Sequence, residues 1–294
     1  MNKTVLVTGA CINTGVAIVE KFASEGYNVV FTGRNSKKVK EAENNYAKKY
    51  TNVSIMGYVI NSLINESTID EESVKEMFKV FDEKRIFIET LVLNAADQGL
   101  NMEIFKSPLK DFMRVINTNM TWNYCLCEYA ARCMKINGGG NIVFVNSNTA
   151  YRAIPNRIAY QASKSGQLGM MRGLAFDLGK YNIRVNAVLP GMIRTDRWDK
   201  APEFYKNVPS RYTPLGDVAA GADIADAVWY FAANARNTTG AELVVDGGNM
   251  IQLYPIIKEE ENNEIFKKNR QYKAQQSSEI HRSKIGLGFE KLDR

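Results

Sequence analysis

Seven short strand-like runs alternate with helical patterns along most of this chain, and that alternation constrains the fold more than any other feature. The runs are Thr4–Val7, Asn28–Phe31, Val53–Gly57, Thr90–Leu93, Asn141–Val145, Arg184–Val188 and Glu242–Val245. Amphipathic patterns fall near residues 15–26, 36–50, 70–81, 108–136, 158–180 and 221–233. Strand–helix–strand repetition predicts an α/β fold, a parallel sheet with helices on both faces. Strands buried on both sides read as continuous apolar runs, as Val29-Val30-Phe31 and Ile142-Val143-Phe144-Val145 do.

The composition changes after Tyr254-Pro255, where charged and amide residues take over. Residues 1–254 are therefore expected to hold the folded α/β part and 255–294 a charged C-terminal extension. Glu259-Glu260-Glu261 ahead of Lys267-Lys268 would suit a solvated helix. Two readings of the extension stay open: a solvated surface tail, or an arm that docks a partner or clasps a subunit.

A single histidine, His281, sits in that extension. Ser-His-Asp hydrolysis, Cys-His proteolysis and His-rich metal sites are thereby disfavoured, and no metal is expected. Proton chemistry falls to Tyr, Lys, Asp, Glu or Cys. A net charge of +6 is a mild bias that helps attract an anionic ligand. There is no dense Lys/Arg run with interleaved aromatics, so no nucleic-acid partner is expected. Cys11, Cys125, Cys127 and Cys133 form no Cys-x-x-Cys pair, which suits reduced thiols in a cytoplasmic protein. The start, Met1-Asn2-Lys3, leads straight into the first strand, and no run of 18 apolar residues follows, so neither a signal peptide nor a membrane partner is expected.

The first strand leads into Thr8-Gly9-Ala10-Cys11-Ile12-Asn13-Thr14-Gly15 and then the helical Val16–Phe22. A glycine turn between strand and helix aims backbone N–H groups at phosphate, and the helix N-terminus adds partial positive charge. Gly9 suits the tight turn and Gly15 the close approach. Asn13 stands where a middle glycine is usual; Asn accepts a left-handed conformation more readily than other side chains. A purely structural turn is the bland alternative. The second strand ends in Thr32-Gly33-Arg34, without the acidic residue that would hold a ribose 2′-hydroxyl. A guanidinium there suits a 2′-phosphate, favouring NADP (NADPH) over NAD, unless Arg34 is a solvated loop charge.

Ser147 ends a strand-like run, and Tyr160-Gln161-Ala162-Ser163-Lys164 follows on a helical pattern. Tyr160 and Lys164 lie one turn apart on one helix face. A free phenol with pKa ~10 is a poor base, and a nearby ammonium lowers that value. A shift of ~2–3 units needs roughly 3–4 kcal/mol. Tyr160 could then give a proton to a carbonyl oxygen or take one from an alcohol. Tyr-x-x-x-Lys alone is common by chance; its place downstream of a glycine turn and a strand ending in Ser147 gives it weight.

Together these segments resemble the single-domain short-chain dehydrogenases/reductases over about residues 3–250. The resemblance rests on Thr8-Gly9 to Gly15, Leu93-Asn94-Ala95-Ala96, Val115–Met120, Asn146-Ser147, Tyr160–Lys164, Arg184–Thr195 and Thr239–Gly248. It implies a Rossmann-type, doubly wound sheet of order 3-2-1-4-5-6-7. It also implies catalytic roles for Asn119, Ser147, Tyr160 and Lys164: Tyr160 as acid/base, Lys164 lowering its pKa and binding the nicotinamide ribose, Ser147 orienting the carbonyl, and Asn119 positioning a relay water. Cofactor contacts would fall on Gly9, Ile12, Thr14, Gly15, Arg34, Asn94, Ala95, Tyr160, Lys164, Pro190, Gly191, Ile193 and Thr195. The chain departs from the family pattern at Asn13, Leu93 and Ala96, and Val59-Ile60-Asn61 stands where an acidic residue often contacts adenine.

The substrate, a small carbonyl or alcohol compound, is expected near Thr149–Arg157 and the loop after Gly191. Arg152, Arg157, Arg194, Arg197, Trp198, Phe204, Tyr205 and Tyr212 lie there. They would suit an apolar or anionic compound, or else the arginines are solvated and the aromatics pack the loop. A ketoacyl thioester, a sugar or polyol and a steroid-like ketone all stay open. The resemblance implies a homodimer or homotetramer through the long helices, on whose faces Leu168, Met171, Leu174 and Ala175 lie; Met170 and Met171 equally suit an ordinary core. An NADP-dependent oxidoreductase is the leading reading. A nucleotide-sensing regulatory protein and a non-redox dehydratase or epimerase are the alternatives.

Overall fold

A computed structural model of the chain describes residues 3–196, 198, 200–202, 206, 208–257, 263–264, 267–268 and 270–271. Seven parallel strands form the main sheet: β1 (Thr4–Val7), β2 (Asn28–Gly33), β3 (Ile55–Val59), β6 (Ile88–Leu93), β7 (Gly140–Val145), β8 (Ile183–Pro190) and β9 (Glu242–Val245). Their order is β3-β2-β1-β6-β7-β8-β9, the doubly wound arrangement expected once the small hairpin β4 (Leu63–Asn65) and β5 (Thr68–Ile69) is set aside. Chain direction across the sheet reverses between β1 and β6, which makes that edge the topological switch point.

Period-two alternation builds two cores from the same strands. Leu6, Val30, Leu91, Ile142, Phe144 and Val185 face α3 (Glu71–Glu83), α5 (Trp122–Ile136) and α6 (Ile158–Leu178). Val5, Val7, Val29, Phe31, Val143 and Val188 face α1 (Asn13–Ser24), α2 (Ser36–Lys49) and α7 (Gly221–Trp229). Leu168, Met171 and Ala175 of α6 belong to the first core, so they are packing residues and not the subunit contacts implied above.

Several strand ends shift by a residue or two from the sequence expectation, and two larger departures, a hairpin and a broken helix, join them. β3 starts at Ile55, two residues late, because Ser54 is held in the preceding turn by the Asn28 side chain at 2.9 Å. The hairpin β4–β5 goes unanticipated: its strands are too short to show a period, and its turn rests on Asn65 accepting from the Ser67 N–H at 3.0 Å. The long pattern 108–136 is two helices, α4 (Leu109–Ile116) and α5, joined by a π-helical turn at Asn117–Thr121. Such turns interrupt the regular hydrogen-bond ladder and recur at functional sites. Arg197, Phe204, Tyr205, Glu259–Glu261 and His281 lie outside the described residues, as does most of the extension. Among the described residues no helix is long and apolar enough to cross a membrane.

Candidate active site

The glycine loop, Arg34, Asn94-Ala95, Ser147 and Pro190-Gly191 each stand at or just past the C-terminal end of a parallel strand, while Asn119, Tyr160 and Lys164 are carried by helical segments. At the end of β1, Gly9 adopts φ +66° and Asn13 φ +51°, the left-handed geometry the turn requires. Gly15 is fixed by space: a Cβ there would stand 2.6 Å from the Gly9 carbonyl oxygen and the Ala10 Cα. The buried Thr8 hydroxyl accepts from the Asn94 and Ala95 N–H groups, both at 3.0 Å. The Asn94 side chain donates to the Thr8 and Gly9 carbonyls at 3.0 and 3.1 Å. Asn94 and Ala95 therefore shape the loop from β6. Tyr46 adds a support that sequence reasoning missed: its hydroxyl donates to the Ala10 carbonyl at 2.9 Å from inside the second core.

No side chain caps the start of α1 at Ile12, and its first turn carries no acid. The first-turn N–H groups around Asn13, Thr14 and Gly15 thus keep their hydrogen-bonding capacity and the partial positive charge of the helix end. That donor set fits an anionic pyrophosphate. Arg34 lies exposed beyond β2, next to Asn35, which caps α2 by accepting from the Lys38 N–H at 3.0 Å.

The chemistry-bearing residues converge at the ends of β6 and β7. Ser147 follows β7, and its hydroxyl accepts from the Thr149 N–H at 3.2 Å and pairs with the Thr149 hydroxyl at 2.9 Å. Tyr160 and Lys164 lie in the first two turns of α6, with the Lys164 Nζ 5.6 Å from the phenol ring centroid. Burial pushes the Tyr160 phenol up, opposed by a hydrogen bond with Ser147 and the Arg157 charge. Burial pulls Lys164 down to about 7. Lys164 Nζ donates to the Val145 carbonyl at 3.0 Å and to Gln167 Oε1 at 3.3 Å.

Asn119 is fully buried in the π-turn. Its side chain accepts from the Asp97 N–H and donates to the Asp97 carbonyl, both at 2.8 Å, and to the Ser163 hydroxyl at 2.9 Å. Its own carbonyl accepts from Asn123 Nδ2 at 2.8 Å and Gln167 Nε2 at 2.6 Å. Gln167 and Asp97 were absent from the sequence reading. A polar residue three positions after Lys164, on a helix face otherwise made of Leu168, Met171 and Ala175, was the available signal for Gln167. Asp97 carried none, because its partner Arg114 becomes a neighbour only through the fold.

Beyond β8, Pro190 and Gly191 border the same edge. The Gly191 N–H donates to Val245 at 3.0 Å, and a Cβ on Gly191 would stand 2.6 Å from that of Asp246. Ile193 bridges to Ala219, and the Thr195 carbonyl accepts from the Trp198 N–H at 2.7 Å. The arginines near the substrate region have protein partners. Arg152 donates to the Met250 and Gln252 carbonyls at 2.8 and 2.7 Å, and Arg157 to the Gly99 and Gln98 carbonyls at 2.6 and 3.1 Å. Arg194 pairs with Asp217 at 3.0 Å. A cavity of about 230 Å³ opens beside Tyr160, walled by Leu100, Met102, Ile104, Phe112 and Ile158.

A doubly wound sheet, a phosphate-type loop at its switch point and a Ser–Tyr–Lys group at the neighbouring strand end define a Rossmann-type oxidoreductase. A family model described as enoyl-(acyl carrier protein) reductase matches residues 9–249. The 3-oxoacyl-(acyl-carrier-protein) reductase MabA of Mycobacterium tuberculosis is 30% identical over 251 residues, covering 84% of this chain and 93% of that one. A 3alpha-hydroxysteroid dehydrogenase of Mediterraneibacter gnavus is 32% identical over 248 residues, covering 84% and 96%. The solved structure of ElxO with NADP bound is 28% identical, with a TM-score of 0.77 over 86% of this chain and 100% of that one. The chain belongs to the short-chain dehydrogenase/reductase family, oxidoreductases that interconvert CH–OH and C=O groups with a nicotinamide cofactor.

Proposed function

We propose that the chain is an NADP-dependent carbonyl reductase or secondary-alcohol dehydrogenase in which Tyr160 is the general acid/base. The observation that carries this reading is the grouping of Ser147 and Lys164 around Tyr160, which lines a cavity, on the sheet edge that also carries an uncapped helix start. Gly9, Ile12, Thr14 and Gly15 would hold the pyrophosphate, with Asn94 and Ala95 bracing them. Arg34 would take the 2′-phosphate. Lys164 and Tyr160 would face the nicotinamide ribose, and Pro190, Gly191, Ile193 and Thr195 the nicotinamide. The nicotinamide supplies or accepts the hydride. Ser147 holds the substrate oxygen, and Tyr160 gives it a proton in reduction or removes one in oxidation. Lys164, whose charge state changes near neutral pH, biases the phenol toward ionisation when it carries its proton.

An apolar carbonyl compound suits the cavity best. Leu100, Met102, Ile104, Phe112 and Ile158 lead its lining, Arg157 in that lining is held by the Gln98 and Gly99 carbonyls and offset by Asp111, and Arg152 and Arg194 are bound elsewhere to carbonyls and Asp217. Two relatives carry names with acyl and steroid substrates, which accords with that class. Asn13 adopts a left-handed φ of +51°, so the loop keeps the turn in spite of the missing glycine, which favours the enzyme reading over a nucleotide-sensing regulatory protein. Residues 1–254 would form the oxidoreductase domain and 255–294 an appended extension. Exposed Tyr124, Ile136 and Phe176 on α5 and α6 support a homodimer or homotetramer, with Phe176 88% exposed.

Fluorescence titration with NADPH and NADH tests the cofactor, and a carbonyl-compound screen following NADPH absorbance tests the reaction. Tight NADPH binding and turnover of apolar ketones are expected. Binding of neither nucleotide would sink the enzyme reading.

A further inference from the structure

We infer that Gln167 is a positioning residue of the catalytic site, its carboxamide bridging the Lys164 Nζ and the Asn119 carbonyl where family resemblance places a relay water. The inference rests on the proposed oxidoreductase reading for its role in turnover.

Gln167 lies three residues after Lys164, one turn along α6, and is 1% exposed. Its Oε1 accepts from Lys164 Nζ at 3.3 Å and from Asn146 Nδ2 at 3.1 Å. Its Nε2 donates to the Asn119 carbonyl at 2.6 Å. That carbonyl also accepts from Asn123 Nδ2 at 2.8 Å. A carbonyl oxygen offers two lone pairs, so these two amides fill its capacity. A water entering there has to displace a side chain.

The choice of residue is costly without a reason. An apolar side chain would join Leu168 and Met171 in the core, whereas a buried carboxamide must satisfy both ends. Gln167 satisfies both, and the partners are a catalytic lysine, a catalytic asparagine and the residue before Ser147.

A carboxamide and a water differ in what they transmit. Water can exchange donor and acceptor roles; the amide has its N–H₂ and C=O ends fixed. Gln167 therefore holds the Lys164 ammonium in place and closes the path from Nζ toward Asn119 to protons. The groups facing Nζ are Val145 O and Gln167 Oε1, with the Tyr160 ring on the same helix. The packed elements add Asn146, Asn119 and Asn123, all neutral, and Arg157 acts on Tyr160. Burial is what acts on Lys164 itself, so a change at position 167 reads out directly on its titration.

The test follows Lys164 by NMR of isotope-labelled lysine in the full chain, assigned with Lys164→Met. Gln167→Glu is expected to move the Lys164 titration up by ~1–3 units through a new opposite charge. Gln167→Met removes an acceptor of the ammonium and should move it down by about one unit. Lys164 titrating in both variants as in the wild type would overturn the bridge. The near-isosteric Gln167→Glu keeps the test open if Gln167→Met does not fold, as checked by circular dichroism. In NADPH-dependent reduction of ethyl acetoacetate, the pH limb of kcat should shift with the lysine while the KM for NADPH stays near the wild-type value. A uniform loss at every pH would mark a merely structural role and count against the inference. A wild type that reduces no carbonyl compound contradicts the proposed activity, and the lysine titration still decides the bridge.

Discussion

The Lys164 Nζ lies 5.6 Å from the centroid of the Tyr160 ring, yet it donates away from the phenol, to Val145 O at 3.0 Å. Burial places its folded-state pKa at about 7, against an ordinary 10.5. The unfolded chain therefore holds this proton up to about pH 10.5, while the folded chain releases it near 7. Between those values the unfolded state binds more protons, so this group's contribution to stability rises with pH. Below pH 7 its cost is complete, on the order of 5 kcal/mol at most at ~1.4 kcal/mol per unit. Lys164→Met should gain stability relative to wild type most strongly at pH 6, with the difference shrinking steadily toward pH 10. Urea unfolding at several pH values measures it, and a pH-independent difference would contradict the buried amine.

Replacing Tyr160 by Phe deletes the proton-carrying hydroxyl and keeps the ring packed. If the phenol is the acid/base, kcat should fall by ~10²–10⁴-fold. NADPH affinity should stay within a few-fold of wild type, since the glycine loop and Arg34 are untouched. Steady-state kinetics beside a fluorescence titration would separate the two effects, and unchanged turnover would remove Tyr160 from the mechanism.

Thr8 is where the phosphate loop meets the neighbouring strand. Its hydroxyl serves the Asn94 and Ala95 N–H groups, both at 3.0 Å, in a fully buried position. Thr8→Val keeps the shape and removes this acceptor; the Asn94 N–H retains the Val92 carbonyl at 3.2 Å, so the main cost, roughly 1–3 kcal/mol, falls on the Ala95 N–H. A loss of about 1–3 kcal/mol in thermal or urea unfolding is expected, together with weaker NADPH binding as the loop loosens. Full stability in the variant would show that other acceptors can replace the hydroxyl.

Those supports mark the limit of what the sequence discloses. The parallel sheet covered on both faces was legible from the alternation of strands and helices, whereas its strand order and the roles of Ser147, Tyr160 and Lys164 followed from the family resemblance of the motifs. Asn13 was legible too, since its conformational tolerance is a property of one residue. Gln167, Asp97 and Tyr46 were not. Each works through a partner distant in sequence, such as Tyr46 reaching Ala10 and Gln167 reaching Asn119. The partners of Arg152 and Arg157 were hidden for the same reason: the carbonyls they bind, at Met250, Gln252, Gln98 and Gly99, become neighbours only after folding.

Asn13 holds φ +51°, and a side chain without a local hydrogen-bonding tip pays about 1–2 kcal/mol there. Asn13→Gly should match or slightly exceed wild-type stability, whereas Asn13→Ala should lose about 1 kcal/mol. Gly15→Ala should be worse for a different reason, since its Cβ would stand 2.6 Å from backbone atoms of Gly9 and Ala10. Comparing the three by unfolding midpoint and NADPH affinity distinguishes backbone strain from crowding. If Asn13→Ala matches Asn13→Gly, left-handed geometry is not what position 13 supplies.

On the proposed reading, Arg34 sets the cofactor preference. It stands exposed at the end of β2, where Gly33 leaves no acidic side chain to hold a ribose 2′-hydroxyl. Charge-assisted bonds to a phosphate contribute ~1.5–3 kcal/mol when well formed, and exposure brings this toward the lower end. Arg34→Ala should therefore weaken NADPH by about 10-fold and leave NADH nearly unchanged. The NADPH deficit should shrink with added salt, because screening weakens a solvent-exposed charge pair. Parallel titrations with both nucleotides at low and high ionic strength measure each effect. An equal loss for NADPH and NADH would show that Arg34 shapes the loop and does not recognise the 2′-phosphate.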